Sequence, residues 1–360
     1  MTQLSSTNEW YRKLKRAGQA RIEENEGMED LLGAIRKQGV YGLGSSELRE
    51  ASATLLQEQG THFSHAVRWL FKRLQHAGLP PSYPCYVGTE VLNASWTEAA
   101  VGSGQVAKHT VRLIYELLAY LLEVPELQDH PRRVLLQQRV EELMEKCREH
   151  SFSSVPPDTP SADVVKVSLL PESSVSDELI FLRVVQSTEL VFHAAARLTA
   201  RTLEAIAYSD AVEAMGTLHW VVCLESFLLP LLRLLAPMSV EHWLELRPLI
   251  VRPSAIQSIS FHHLSTQLNE LHRILNHPRY ASCQHAYLPG CQDLLNRASK
   301  AMSTWYKAHT RIATKYGQAS HDYKPEGVRW LETQCPLGTV TAEKPAVMAE
   351  EDEGGRVSVR

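Results

Sequence analysis

The stretch 177–192, DELIFLRVVQSTELVF, decides the fold class. Phe181, Val184, Val185, Thr188 (through its methyl) and Phe192 fall at steps of one, three and four, which draws one apolar stripe along a helix. The same period recurs along the chain. It predicts helices over 8–21, 27–37, 45–59, 61–76, 107–123, 132–150, 177–208, 210–235, 239–246, 255–275 and 290–316. The segment 164–170 reads as a short strand or an extended lead-in. The segment 78–84, GLPPSYP, reads as a turn or a rigid extended piece, because proline fixes φ and removes a donor. No stretch alternates convincingly with the period of a strand and no internal repeat is visible. The fold class is all-α.

The helical pattern is interrupted at 151–162, SFSSVPPDTPSA, a Ser/Pro-rich break. Four segments follow from it: an N-terminal helical region at 1–150, a linker at 151–176, a second helical region at 177–335, and an acidic, glycine-containing tail at 336–360 expected to be disordered.

Composition excludes several classes of function. Hydrophobic residues make up 44% and charged residues 22%, the balance of an ordinary globular protein. A net charge of −4 with no basic stripe argues against a nucleic-acid partner. Residues 1–18 are polar and have no signal-peptide core. The most apolar run, 220–236, is interrupted by Glu225, Pro230 and Arg233, so a core helix is expected there rather than a membrane span. Cys85, Cys147, Cys223, Cys283, Cys291 and Cys335 form no C-x-x-C pair, which points to reduced thiols and a cytoplasmic setting.

Few local motifs carry chemistry. There is no G-x-S-x-G elbow, H-E-x-x-H helix or EF-hand loop. The Gly102-Ser-Gly104 turn lacks the rest of a phosphate loop and reads as a helix N-terminus. His277, Cys283, His285 and Cys291 crowd one loop, but their spacing fits no structural zinc pattern. The stripe Met302, Trp305, His309, Ile312, Ala313 and Tyr316 is more informative. It places a histidine on the apolar face of one helix. A neutral imidazole there suits a haem iron, with its other nitrogen donating to a neighbouring acceptor. The plainer reading is a core histidine held by a hydrogen bond.

Three segments, in order, resemble the tryptophan 2,3-dioxygenase family. The first is 177–192, where Asp177, Glu178, Phe181, Gln186, Glu189, Leu190 and Phe192 fall in step with D-E-x-L-F-x-x-x-H-Q-A-Y-E-L-W-F. The second runs from Leu218 and His219 through Met238 and Arg247 to PSAIQSISF at 253–261, with Ser254, Gln257, Ser258 and Phe261 in step. The third is Trp305-x3-His309, followed by Gly327, Trp330 and Leu331. The resemblance covers about 177–331 and does not reach the first 150 residues.

It implies a helical bundle around a haem b, with His309 as the axial ligand and dioxygen or peroxide as co-substrate. Phe181 and Val185 then face an aromatic substrate. Three departures reshape that pocket. The family's distal histidine falls on Val185, which exchanges no proton. Its carboxylate-clamping arginine falls on His262, which offers one donor where a guanidinium offers a fork. Its substrate-closing loop becomes QASHDYKPE at 318–326, where Asp322 is a candidate for holding an ammonium group. A branch of the superfamily bonds its haem to a cysteine four residues after the ligand; Ala313 stands there, so the haem is expected to be non-covalent. The resemblance therefore implies an oxygenase acting on an indole- or phenol-bearing small molecule, with the number of oxygen atoms inserted left open. The alternative is a haem-binding sensor or a helical partner-binding protein on the same fold. Residues 1–150 are expected either to roof the pocket or to drive homo-oligomerisation through their apolar helix faces.

Overall fold

The computed structural model describes residues 26–42, 65–75, 82–97, 102–151, 162–246, 258–277 and 288–318. Among them there are helices and no strands, so the fold is all-α. Helices α1 (Glu26–Gly42), α2 (His65–Gln75), α3 (Tyr83–Val87), α4 (Thr89–Thr97), α5 (Ser103–Glu123) and α6 (Arg133–Ser151) come first. Then follow α7 (Ala162–Val167), α8 (Ser176–Ala207), α9 (Ala211–Glu225), α10 (Leu228–Arg233), α11 (Val240–Leu246), α12 (Ile259–Leu275) and α13 (Leu288–Gln318). The predicted helices at 8–21 and 45–59, the tail, and most of the Ser/Pro-rich break lie outside the described residues.

Helix α8 is the axis of the molecule. It packs against α5, α9 and α12. The single stripe expected over 177–192 is therefore too narrow: from Asp177 to Phe192 only Val185 is not buried. Two long polar side chains of this helix are anchored inside the protein. Arg183, fully buried, donates to Ser168 Oγ (2.9 Å), Gln186 Oε1 (2.6 Å) and the Val165 carbonyl (2.5 Å). Gln186 Nε2 donates to the carbonyls of Val87 (3.0 Å) and Ser168 (2.7 Å). Pairing of this kind offsets the cost of burying a polar group.

Those bonds also correct the reading of 164–170 as a strand or extended lead-in. It forms the end of α7 and a turn that docks on α8, with Val165, Val167, Leu169 and Leu170 buried. The second half of the span read as a linker is thus packed core. Glu178 closes this junction: it accepts from the amides of Glu172 (2.7 Å) and Ser173 (2.7 Å), from Ser173 Oγ (2.6 Å) and from Tyr86 OH (3.2 Å). Arg73 on α2 pairs with Glu172 in the same buried layer. The end of α1 docks here too, through Val40 N donating to the Pro171 carbonyl at 2.7 Å.

Two further elements differ from expectation. Pro84 lies inside α3 rather than in an extended piece; at the second helical position its missing N–H removes no intrahelical bond. The helix predicted over 210–235 is broken at Ser226 and Phe227 into α9 and α10. Pro230 cannot donate to the Ser226 carbonyl four residues back. Lys146 Nζ on α6 takes that carbonyl at 2.6 Å instead. By length and composition, Ser176–Ala207 and Ala211–Arg233 are apolar enough to cross a membrane; most of the first is buried against other helices. The described cysteines Cys85, Cys147, Cys223 and Cys291 are free thiols.

Candidate functional site

Helices α9 and α12 each pack on both α8 and α13, so these four helices surround the space between α8 and α13. The facing ladders have the same spacing: Phe181, Val185, Thr188 and Phe192 on α8, and Trp305, His309, Ile312 and Tyr316 on α13. Steps of four, three and four keep each set on one helix face. Each ladder spans about 16 Å at about 1.5 Å per residue.

Aromatic rings close both ends. At one end Phe192 meets Trp305 edge to face, with centroids 5.0 Å apart, and Phe261 of α12 packs on both, at 5.3 Å from Phe192 and 5.8 Å from Trp305. Ser258 sets the position of Phe261: its Oγ caps α12 by accepting from Phe261 N at 2.9 Å. At the other end Trp243 of α11 bridges Phe181 (5.5 Å) and Tyr316 (5.4 Å). Because Phe192 is tied to Trp305 and Phe181 to Tyr316, the two ladders run in opposite senses. Between the closed ends, Val185, His309 and Ile312 are only half-buried.

His309 is the one titratable group of these two ladders apart from the Tyr316 phenol. Its imidazole stacks on the Trp305 indole, with centroids 5.1 Å apart and planes 19° from parallel. Its Nδ1 is buried and has no hydrogen-bond partner among the described residues. Burial pulls its pKa down to about 4, so the ring is neutral around pH 7.

The sequence-derived site residues divide in two. Phe181 and Val185 stand on the α8 ladder and His309 on the α13 ladder. His262 sits on α12 beside Phe261, with its ring 5.7 Å from that phenyl, nearer the Phe192–Trp305 end than the Phe181 end. Asp322, the rest of its loop from 319 to 326, Gly327, Trp330 and Leu331 lie outside the described residues, as do Cys283 and His285.

Sequence reasoning missed a polar cluster one turn before Phe181. Asp177, fully buried, accepts from His130 Nε2 (2.6 Å), from Ser239 N (2.7 Å) and from His242 Nδ1 (2.9 Å). The Arg132 amide donates to His130 Nδ1 at 3.2 Å, which fixes the His130 proton on Nε2, facing Asp177. Tyr316 lies beside this cluster; its phenol donates to the Met238 carbonyl at 3.3 Å, and burial first, then the Asp177 charge, push its pKa up. The partners lie 47 and 65 positions apart in the chain, so no local spacing announces them. Among the described residues no three His, Cys, Asp or Glu side chains gather as a multidentate metal site.

No family model matches the chain, and no curated protein or solved structure matches it.

Proposed function

We propose that the chain is a haem-dependent oxygenase acting on a small aromatic molecule with an indole or phenol ring, with His309 as the axial ligand of a non-covalent haem b. The observation that carries this reading is His309 itself: a neutral imidazole stacked on Trp305, with a buried Nδ1 that has no partner among the described residues. The donor suits a haem iron, which takes a neutral imidazole.

When bound, the haem supplies the oxygen chemistry. The chain's own residues supply the rest. Stacking on Trp305 holds the imidazole plane. Phe181 and Val185 line the opposite wall and exclude water with their apolar surfaces. Val185 exchanges no proton, so that wall orients the substrate by shape. His262 and Asp322 are proposed to hold polar substituents. A second reading, a haem-binding protein without turnover, draws on the same Val185, since that wall brings no acid or base.

The test is an absorbance spectrum of the purified protein supplemented with haem. A Soret band in the wild type that is lost in His309→Ala supports ligation. A wild-type protein that stays colourless overturns it. Turnover of indoles and phenols with dioxygen or peroxide then separates the oxygenase from the sensor.

A further inference from the structure

Helix α11 (Val240–Leu246) has seven residues, of which only Leu246 is buried. Glu241, Leu244 and Glu245 are exposed and Trp243 is half-buried. Isolated helices shorter than about 12–15 residues are marginal in water, so α11 depends on its tethers. Its polar anchor is one carboxylate on α8. Asp177 Oδ2 accepts from Ser239 N at 2.7 Å and from His242 Nδ1 at 2.9 Å. Ser239 in turn caps the helix: its Oγ accepts from His242 N at 2.9 Å and its carbonyl accepts from Trp243 N at 3.2 Å. The other carboxylate oxygen, Oδ1, is held at 2.6 Å by His130, which is sealed. Asp177 therefore stays with α8 whatever α11 does. The two ends of the space between α8 and α13 differ accordingly. Phe192, Phe261 and Trp305 close one end, all buried and all on helices of at least 17 residues. Trp243 closes the other end from the short α11, across Phe181 and Tyr316.

We infer that α11 is a gate that opens as a unit and withdraws Trp243 from Phe181 and Tyr316, with Asp177, Ser239 and His242 forming the latch that holds it shut. Opening breaks the two bonds to Asp177 Oδ2 and the ring contacts of Trp243. It leaves α8, α9, α12 and α13 packed on one another. Segments with few buried apolar contacts open locally at lower free energy than the core around them. Phe181 and Tyr316, both buried while α11 is shut, are then uncovered, and that end of the two ladders becomes accessible from outside. The latch owes nothing to what His309 ligates, so the gate stands apart from the oxygenase reading.

Native-state amide exchange of the full chain, read by mass spectrometry across low urea concentrations, is the test. In the wild type the amides of Trp243 to Leu246 are expected to exchange at least about tenfold faster than those of α8 and α9, with little dependence on urea, the mark of a local opening. His242→Ala removes one arm of the latch and raises the helix propensity of α11, so faster exchange in it cannot come from a weaker helix. It is expected to quicken exchange in α11 about tenfold and to leave α8 and α9 unchanged. His242→Asn, whose Nδ2 can donate in place of the imidazole Nδ1, is expected to restore part of the protection. Anilinonaphthalene sulfonate, which fluoresces on apolar surface, is expected to bind His242→Ala more strongly than the wild type, because Phe181 and Tyr316 are uncovered more often. Circular dichroism reports that each variant is folded, and the wild-type exchange decides by itself if one is not. Exchange of α11 at the rate and urea dependence of α8 overturns the inference. So does α11 exchange that is unmoved in folded His242→Ala, or dye binding equal to that of the wild type.

Discussion

The rings of Trp305 and His309 lie stacked, 5.1 Å between centroids and 19° from parallel, one turn apart on α13. The indole fixes the imidazole plane without satisfying either ring nitrogen, since stacking uses the face and not the edge. The helix thus presents an ordered, neutral donor that the described protein does not use.

Replacing His309 by Leu is expected to stabilise the haem-free protein. The buried Nδ1 has no partner among the described residues, and an unpaired buried polar atom costs about 1–3 kcal/mol. Urea denaturation of both proteins without haem checks it. A lower midpoint in the variant would mean that the nitrogen is bonded in the native state.

Stability should respond to pH through two groups with opposite signs. Burial lowers His309 from 6.5 to about 4. As pH falls through 6.5, the unfolded ring gains a proton that the folded ring refuses, so stability drops until about pH 4. Burial raises Glu178 from 4.5 to about 7, against the pull of its hydrogen bonds from Ser173 and Tyr86. The folded carboxyl keeps its proton while the unfolded one loses it, so its contribution is complete below pH 4.5 and is lost by about pH 7, at a cost of about 3 kcal/mol. Stability measured against pH for Glu178→Gln minus wild type should rise across that window. The same difference for His309→Leu should fall as pH goes from 4 to 6.5. A flat difference curve in either case refutes the corresponding shift.

Gly39→Ala is expected to be among the most damaging small substitutions. Gly39 has φ 73° and ψ 159°, and an added Cβ would meet the Glu172 carbonyl oxygen at 2.3 Å. That backbone region is nearly exclusive to glycine and costs other residues about 1–3 kcal/mol before the clash is counted. The end of α1 should detach from Pro171, with a loss of about 3 kcal/mol or more in thermal or urea unfolding.

Arg183→Ala is expected to loosen the seat of the site and not its chemistry. The guanidinium has no carboxylate partner among the described residues; burial lowers its pKa to about 9, and hydrogen bonds to Ser168, Gln186 and Val165 hold it. Removing it leaves those acceptors short and opens a cavity, for about 3 kcal/mol or more. Amide exchange should quicken first in α7 and 168–170. Uniform exchange throughout would refute that local role.

Much of the helical layout was legible in the sequence, and the places where it was not share a cause. The ends of α5, α6, α8 and α13 fall within a few residues of the periodic pattern, because capping and amphipathicity are local. The break at Ser226 was marked by Pro230, yet it also needed Lys146 from 80 residues away to take the freed carbonyl. Trp305 and His309 were visible as one stripe. Trp243 and His242 were not, because their partners Phe181 and Asp177 belong to a helix more than 60 residues earlier.

The sequence by itself determined the all-α class and the ladders that carry Phe181, Val185 and His309, since periods of three and four residues are written in neighbouring positions. Only the tertiary structure decided that α8 is buried on nearly every side, that the ladders run in opposite senses with rings closing both ends, and that Asp177 joins His130 to His242. Those outcomes depend on which surfaces meet across long chain separations. Packing and desolvation settle such meetings, and local spacing does not encode them.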